Sequence, residues 1–194
     1  KANDFWQTKR VATFRSEMGA KLAKHLSAES INSIDIVVPV PETGKYYAQG
    51  LAKVIGKPFV EAIFRNQNMG RGLQIEDAAQ RNIFIRKKLT VIEELVKGKN
   101  VGIVDEAVFT GATLRIVVDQ LKDAGANRIH LLLPTPHNVR ACDYNVLPQR
   151  NVLLDYVRRT DLKDYFDVDE ITFTSFNDLY NSLGNQVCLD CFDC

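Results

Sequence analysis

The stretch VGIVDEAVFTGAT, residues 101–113, decides the fold. It predicts a buried strand (Val101–Val104), then the acidic pair Asp105 and Glu106, a short loop with one glycine, and a helix that begins near Thr113. A helix that starts directly after such a loop points its first backbone N–H groups at an anion. The acidic pair beside it suits the vicinal hydroxyls of a sugar. The stretch therefore predicts a pocket for a ribose 5-phosphate.

Apolar spacing on both sides of this stretch predicts an α/β fold with a central parallel sheet flanked by helices. The predicted helix ends at Gly125, and residues 129–133 form the next strand. An earlier apolar run, residues 34–40, has the character of a strand that is buried on both faces. We expect one domain over residues 1–194, with a core at about residues 10–136 and a C-terminal extension over residues 137–194.

Composition and charge exclude several classes of function. The chain has 194 residues, 45% of them hydrophobic and 25% charged, with a formal net charge of +1. A nearly neutral protein exerts no general attraction on nucleic acid or acidic membranes, so neither is expected as a partner. No apolar run approaches the roughly 18 residues that span a bilayer, and no signal-peptide pattern is present. We expect a cytoplasmic protein.

Two loops supply the candidate substrate contacts. In the first, Asp105 and Glu106 face the ribose hydroxyls and a nearby Mg²⁺. The phosphate contacts of this loop are assigned to Ala107, Phe109, Thr110, Gly111, Ala112 and Thr113. The second loop follows the strand at residues 34–40, and its backbone amides suit a pyrophosphate. Its candidate residues are Glu42, Thr43, Gly44 and Lys45. An ordinary turn between strand and helix stays open as the alternative for each loop.

A basic segment lies between these two loops. Residues 65–99 carry eight basic and four acidic side chains in an otherwise nearly neutral chain. A flexible basic loop of this kind closes over a pyrophosphate, neutralises the leaving group and excludes water. The candidate residues for this role are Arg71, Arg81, Arg86 and Lys88. The alternative is a solvated surface loop or hairpin.

These three pieces, in this order, resemble type I phosphoribosyltransferases, and most of all the phosphoribosyltransferase half of glutamine phosphoribosylpyrophosphate amidotransferases. Residues 38–44, VPVPETG, resemble that family's Val-Pro-Asp-Ser-Gly loop, and residues 69–72, MGRG, resemble its Val-Gly-Arg-Thr. The likeness covers about residues 10–140 and returns at the tail. It implies a pentosyltransferase of purine biosynthesis that binds phosphoribosyl pyrophosphate with Mg²⁺. The nucleophile that displaces pyrophosphate is then ammonia, and the product is 5-phosphoribosylamine.

The sequence departs from that family's pattern at three places. Glu106 stands where the family has a second aspartate, Thr110 replaces an arginine, and Gln67 replaces another arginine. Thr110 makes the loop more like nucleobase salvage enzymes, which leaves a nucleobase or a specialised amine open as the acceptor. Glu106 and Gln67 leave open a third alternative, a non-catalytic protein that binds phosphoribosyl pyrophosphate or a nucleotide and regulates a partner.

Cysteine placement predicts a metal site. Three of the four cysteines fall in the last seven residues, a spacing that favours a metal or cluster site over a disulfide framework. The family resemblance extends this to a structural [4Fe–4S] or Zn²⁺ site. Its ligands are Cys142, Cys188, Cys191 and Cys194. Free thiols on a frayed tail are the alternative.

The nitrogen source is also left open. The family hydrolyses glutamine with an N-terminal cysteine, and this chain has no cysteine before Cys142. We therefore expect free ammonia, a separate glutaminase partner or another nucleophile to serve the reaction. A homo-oligomer is expected on general grounds.

Overall fold

The computed structural model of the chain describes residues 2–6, 9–69, 78–141, 152–183 and 188–192. Its strands are β1 (Phe5–Trp6), β2 (Lys9–Arg10), β3 (Ile36–Pro39), β4 (Ile63–Arg65), β5 (Leu89–Val91), β6 (Asn100–Val104), β7 (Arg128–Leu133) and β8 (Glu170–Phe173). Its α-helices are α1 (Val11–Leu22), α2 (Ala28–Ser33), α3 (Lys45–Ile55), α4 (Ala78–Lys88), α5 (Glu93–Val96), α6 (Ala112–Asp123), α7 (Leu162–Phe166) and α8 (Phe176–Leu183).

The central sheet has four parallel strands in the order β3-β6-β7-β8. Side chains alternate between its faces: Val38, Ile103 and Leu131 join one hydrophobic cluster, and their neighbours join another on the opposite face. Burial on both faces explains why these strands are continuous apolar runs. Pro39 pairs with Val104, so β3 and β6 end side by side. The predicted α/β fold with a parallel central sheet is confirmed.

Helices α1 and α3 pack on one face of the sheet at very short range. A Cβ atom added to Gly19 of α1 would lie 1.9 Å from the backbone oxygen of Tyr47 in α3. A Cβ atom added to Gly50 of α3 would lie 1.9 Å from the oxygen of Ser16 in α1. Both helices therefore depend on these glycines for their close approach. This contact fixes the position of α1 relative to α3.

Helix α6 covers the opposite face. Its buried side chains are Leu114, Ile116, Val117, Val118 and Leu121, which recur at the spacing of one helix face. Gly125 follows the helix with a φ of 79°, as the predicted helix end requires. On α3, by contrast, the apolar side chain of Val54 is exposed. The close contact with α1 turns the face of Ala48, Leu51 and Ala52 inward instead.

The basic segment forms regular structure over much of its length. Strands β4 and β5 pair as an antiparallel ribbon beside the central sheet, and α4 leads into β5. The Gln120 side chain of α6 donates to the backbone oxygens of Arg86 and Leu89, at 3.2 and 2.9 Å. The end of α4 is therefore tied to α6. Residues 70–77, which carry Arg71, lie outside the described residues.

The C-terminal extension packs back onto the core. Short 3₁₀ turns at Leu153–Asp155 and Arg159–Asp161 precede α7, β8 and α8, and β8 completes the sheet. Residues 188–192 lie beside residues 138 and 139, where Val139 N donates to Cys191 O at 2.9 Å. Within the described part of the chain, no helix is long and apolar enough to cross a membrane.

Candidate functional site

Two loops meet at the carboxyl ends of β3 and β6. The β3–α3 loop (residues 41–44) contains a cis peptide bond between Pro41 and Glu42, and the β6–α6 loop comprises residues 105–111. Val40 N, just before the first loop, donates to Val104 O at 2.8 Å. A Cβ atom on Gly44 would lie 2.3 Å from that same Val104 oxygen. Glycine is thus required at position 44 for backbone packing, in addition to its predicted role in binding the pyrophosphate.

Asp105 is the buried centre of the site. Its Oδ1 accepts hydrogen bonds from the Thr43 hydroxyl at 3.1 Å and from the Glu106 backbone N–H at 2.8 Å. Burial raises the pKa of Asp105 to about 7, against the opposing effect of these two donors. The Thr43 contact joins the two loops through side chains. A carboxyl group held in this way, at the end of a parallel strand, is poised to accept hydrogen bonds from a ligand.

Glu106 is more open and has a partner that the sequence did not suggest. Arg15 of α1 donates from Nη2 to Glu106 Oε2 at 3.3 Å, although the two residues are 91 positions apart. The Thr135 hydroxyl donates to the Glu106 backbone oxygen at 2.8 Å. No local spacing could have identified Arg15, since it lies on a helix far from the acidic pair in sequence. The acidic pair is therefore held from α1 and from the segment that follows β7.

The rest of the β6–α6 loop is supported by the C-terminal extension. Leu153 N donates to Phe109 O at 2.8 Å, and the Tyr156 hydroxyl donates to Thr110 O at 3.2 Å. Gly111 has a φ of 75°, and a Cβ atom there would lie 3.1 Å from the Phe166 ring. Ala107, Phe109, Thr110, Ala112 and Thr113 are all partly exposed.

The start of α6 has the backbone geometry that an anion site requires. The first backbone hydrogen bond into this helix runs from Arg115 N to Gly111 O at 3.0 Å. The amides of Ala112, Thr113 and Leu114 precede it and have no partner within the helix, as at any helix start. Together with the positive end of the helix dipole, they favour a phosphate at this position. This is where the sequence placed the 5-phosphate.

The predicted contact residues of the β3–α3 loop lie in two different environments. Thr43 faces Asp105, whereas Glu42 and Lys45 line a cavity of about 340 Å³. The other lining residues are Pro39, Pro41, Glu61, Ile63, Phe64, Arg65, Gln67 and Ile92. Lys45 Nζ pairs with Glu61 at 2.7 Å, a hydrogen bond that raises the pKa of the lysine. The cavity thus adjoins the site on the side of the β4–β5 ribbon.

Of the predicted basic residues in the segment, the structure describes the side chains of Arg86 and Lys88, and Arg86 is paired away from the acidic pair. Arg86 Nη2 lies 2.9 Å from Asp119 Oδ2, two turns into α6 and away from its start. The Lys88 ammonium lies 5.3 Å from the centre of the Phe84 ring. Arg81 belongs to α4, but its side chain is outside the described residues, as is all of Arg71. Their assigned role stays a prediction.

The structure describes two of the four predicted metal ligands. Cys188 is exposed and Cys191 is partly buried, and these two described cysteines form no disulfide. Cys142 and Cys194 lie outside the described residues. Among the residues that are described, no three His, Cys, Asp or Glu side chains are grouped to hold a metal ion. The four-thiolate site therefore stays a prediction.

Comparisons with known proteins agree with this geometry. Residues 15–143 match the phosphoribosyl transferase domain family. The amidophosphoribosyltransferase of Haemophilus influenzae is 33% identical over 189 residues, which cover 93% of this chain and 37% of that protein. The amidophosphoribosyltransferase of Methanocaldococcus jannaschii is 26% identical, over 88% of this chain and 37% of that protein. The chain thus spans little more than a third of these relatives.

Solved structures give the same result. The glutamine phosphoribosylpyrophosphate amidotransferase from B. subtilis, complexed with ADP and GMP, superposes with a TM-score of 0.84 at 25% identity. The match covers 99% of this chain and 43% of that one. A structure described as the allosteric regulatory enzyme of purine biosynthesis gives the same TM-score and identity, over 42% of its chain. The family resemblance inferred from the sequence is confirmed.

Proposed function

We propose that this chain, which belongs to the phosphoribosyl transferase domain family, transfers the phosphoribosyl group of phosphoribosyl pyrophosphate to a nitrogen nucleophile. Ammonia is the proposed nucleophile and 5-phosphoribosylamine the product, in keeping with the names of the relatives. The observation that carries the proposal is the position of a buried carboxyl group, Asp105, at the start of the short loop that leads into α6. A sugar phosphate needs one partner for its ring hydroxyls and another for its phosphate, separated by the length of the sugar.

Asp105 and Glu106 accept hydrogen bonds from the two vicinal ribose hydroxyls in this proposal. The amides at the start of α6 bind the 5-phosphate, and the hydroxyls of Thr110 and Thr113 add two donors. Held at both ends, the ribose presents C1 to the nucleophile, and the C1–oxygen bond to pyrophosphate breaks as the new C–N bond forms. Positive charge grows on the ribose ring, and negative charge grows on the pyrophosphate. Positioning and charge stabilisation supply the rate enhancement, without a covalent intermediate.

The leaving pyrophosphate lies on the side of the β3–α3 loop. Lys45 and the backbone near Glu42 are its proposed contacts there, and Arg71, Arg81 and Lys88 close over it from the basic segment. Arg86 joins them only if it gives up its ion pair with Asp119. Closure of this kind removes water, which protects the cationic ribose from hydrolysis.

Magnesium is the proposed cofactor. The donor set fits a hard divalent cation, because the site presents two neighbouring carboxyl groups, and among the described residues no cationic side chain contacts buried Asp105 directly. Held near Asp105 and Glu106, the ion would neutralise charge that develops on the leaving group.

Thr110 favours a second acceptor class. Thr110 stands where the resembling family carries an arginine, and it makes the loop more like nucleobase salvage enzymes, so a nucleobase or a specialised amine is the second proposed acceptor. A non-catalytic protein that binds phosphoribosyl pyrophosphate or a nucleotide is the third outcome. The source of ammonia, whether free or from a glutaminase partner, assembly as a homo-oligomer and a place in the cytoplasm are also proposals.

A nucleophile screen tests the proposed function. Purified protein is incubated with phosphoribosyl pyrophosphate and Mg²⁺, and released pyrophosphate is measured with ammonia, glutamine, single nucleobases or no added nucleophile. Release with ammonia alone supports the proposal, and release only with a base supports the second class. Calorimetric binding without release under any condition favours the regulatory protein. Asp105→Asn serves as the negative control, because it removes the central carboxylate and keeps the shape.

The cysteine site is a separate proposal. The bridge between Asn138 and Phe192 supports it, since it draws the segment before Cys142 toward Cys191. Protein purified without oxygen is expected to contain iron and sulfide, or one Zn²⁺ per chain, by elemental analysis. Replacement of Cys188 and Cys191 together by Ser should remove the metal. A metal-free wild-type protein would leave four free thiols.

A further inference from the structure

Arg15 has no role in the mechanism described above, yet it contacts the acidic pair. Its guanidinium lies 3.3 Å from Glu106 Oε2, and its side chain is only 20% exposed. The Cζ atom also lies 5.6 Å from the centre of the Tyr47 ring, which is itself buried. A largely buried arginine that is stacked on an aromatic ring and paired with a carboxylate has little freedom to move.

The backbone beneath Arg15 is also fixed. Gly19 lies one turn further along α1, where its Cα packs against the Tyr47 carbonyl. The same Tyr47 carries the ring under the guanidinium, so helix contact and ring contact locate Arg15 together. Helix α3 starts at the β3–α3 loop, which is joined to Asp105 through Thr43. The position of Arg15 relative to the acidic pair is therefore set by the packing of two helices.

Glu106 needs such a partner for two reasons. A glutamate has one more rotatable bond than an aspartate, and at 43% exposure the Glu106 carboxylate is not confined by burial. It also lies beside Asp105, in a site that must accept a strongly anionic substrate. A fixed cation at Glu106 restricts its rotamers and offsets one of the two negative charges.

We propose that Arg15 is a positioning residue for phosphoribosyl transfer: its ion pair holds the Glu106 carboxylate where it meets the ribose hydroxyls. This inference rests on the proposed function. Arg15 touches no reacting atom in this account and acts only through Glu106. Its removal should therefore weaken binding of phosphoribosyl pyrophosphate and lower turnover to the same extent as removal of the Glu106 charge.

A double-mutant cycle tests this dependence. The variants are Arg15→Gln, Glu106→Gln and the pair together, and the measurements are kcat and KM for pyrophosphate release and calorimetric binding of phosphoribosyl pyrophosphate. Each single variant is expected to lose at least about tenfold in kcat/KM, the size of one charge-assisted hydrogen bond. The double variant should lose little more than Glu106→Gln alone, because the two side chains act as one unit.

Two further variants separate positioning from folding. Arg15→Lys keeps a positive charge and an apolar stem, and should recover part of the loss even if Arg15→Gln proves too unstable to assay. Lys9→Gln removes another α1 ion pair, the exposed contact with Glu17 at 2.6 Å, and should leave binding and turnover unchanged. Thermal unfolding of every variant is followed in parallel.

The outcomes distinguish this inference from the proposed function. If the wild-type protein neither binds phosphoribosyl pyrophosphate nor releases pyrophosphate, the proposed function fails and takes the role of Arg15 with it. If the wild type is active, but Arg15→Gln matches it or the two single losses multiply in the double variant, the inference alone is overturned. Where binding occurs without turnover, the same cycle is read from the calorimetric affinities.

Discussion

The β3–α3 and β6–α6 loops both join a buried parallel strand to a helix, but different parts of the chain hold them. Gly44 in the first loop packs directly on the backbone oxygens of Val104 and Val40. Gly111 in the second loop packs on side chains, those of Phe166 and Leu153 from the C-terminal extension. The first loop is therefore set by the central sheet itself, and the second by a segment that follows it by about 40 residues. Backbone neighbours cannot yield to a larger residue, whereas side chains can.

Replacement of the two loop glycines by alanine should give the largest effects and should distinguish the two loops. Gly44→Ala places Cβ 2.3 Å from the Val104 oxygen, so the ends of β3 and β6 must separate. We expect a loss of more than about 3 kcal/mol in the free energy of unfolding, or failure to fold. Gly111→Ala should lose only about 1–2 kcal/mol, the cost of a positive φ for alanine. Denaturant unfolding measures both, and equal losses would contradict the distinction between the two loops.

Asp105→Asn should reduce activity and increase stability. Loss of the central carboxylate is expected to lower kcat/KM by about 10²–10³-fold, as for loss of one preorganised electrostatic group. The pKa of Asp105 in the folded protein is raised to about 7, from 3.8, so between these pH values the folded state binds more protons than the unfolded state. The free energy of unfolding of the wild type therefore falls as pH rises through this window, by at most about 4 kcal/mol.

The asparagine variant should not show this fall, and should be more stable than the wild type above pH 7. Unfolding in denaturant at pH 5 and at pH 8, without ligand, measures the difference. Glu106→Gln is the matched control, because that neighbouring carboxylate is about half exposed and should lose activity without gaining stability. A pH dependence shared by Asp105→Asn and the wild type would show that Asp105 is not the titrating group.

The part of the site predicted from the sequence is the part whose residues are contiguous. Residues 101–113 carry the strand, the acidic pair, the loop and the helix start in one run, and apolar spacing identifies each element there. The same holds for Gly125 and the strand that follows it. Local patterns suffice in these places, because the apolar residues that form the buried face of each strand or helix recur at close spacing in the sequence.

The parts that sequence reasoning missed depend on contacts between distant segments. Arg15 and Tyr156 reach the two ends of the β6–α6 loop from opposite ends of the chain, and no spacing in the sequence marks either of them. The basic segment shows a second limit. Its composition predicts positive charge. The partner of Arg86, however, is set by the packing of α4 against α6, which the composition does not specify.

Tyr156→Phe should have a smaller effect, and it tests how the C-terminal extension supports the β6–α6 loop. It removes the hydrogen bond to Thr110 O, at 3.2 Å, and leaves the ring. A loss of about 1 kcal/mol, the usual contribution of one such bond, is expected in the binding of phosphoribosyl pyrophosphate, and little change in folding. Tyr180→Phe on α8 is the matched control, since its exposed ring stacks on Phe176 far along the chain from either loop. Equal affinity of Tyr156→Phe and the wild type would show that the extension supports the loop without this bond.

Arg86→Gln should have the smallest effect on folding, below about 1 kcal/mol, because its ion pair with Asp119 is exposed on both sides. Its effect on turnover decides between two roles. If Arg86 only ties α4 to α6, Asp119→Asn breaks the same contact, and the two variants should match in kcat and in stability. If Arg86 leaves Asp119 to meet the pyrophosphate, Arg86→Gln alone should lower kcat, and Asp119→Asn should leave kcat intact, since it removes the nearer of the two partners and leaves only Asp123, at 3.8 Å. The ion pair favours the first result, and steady-state kinetics on the two variants distinguishes it from the second.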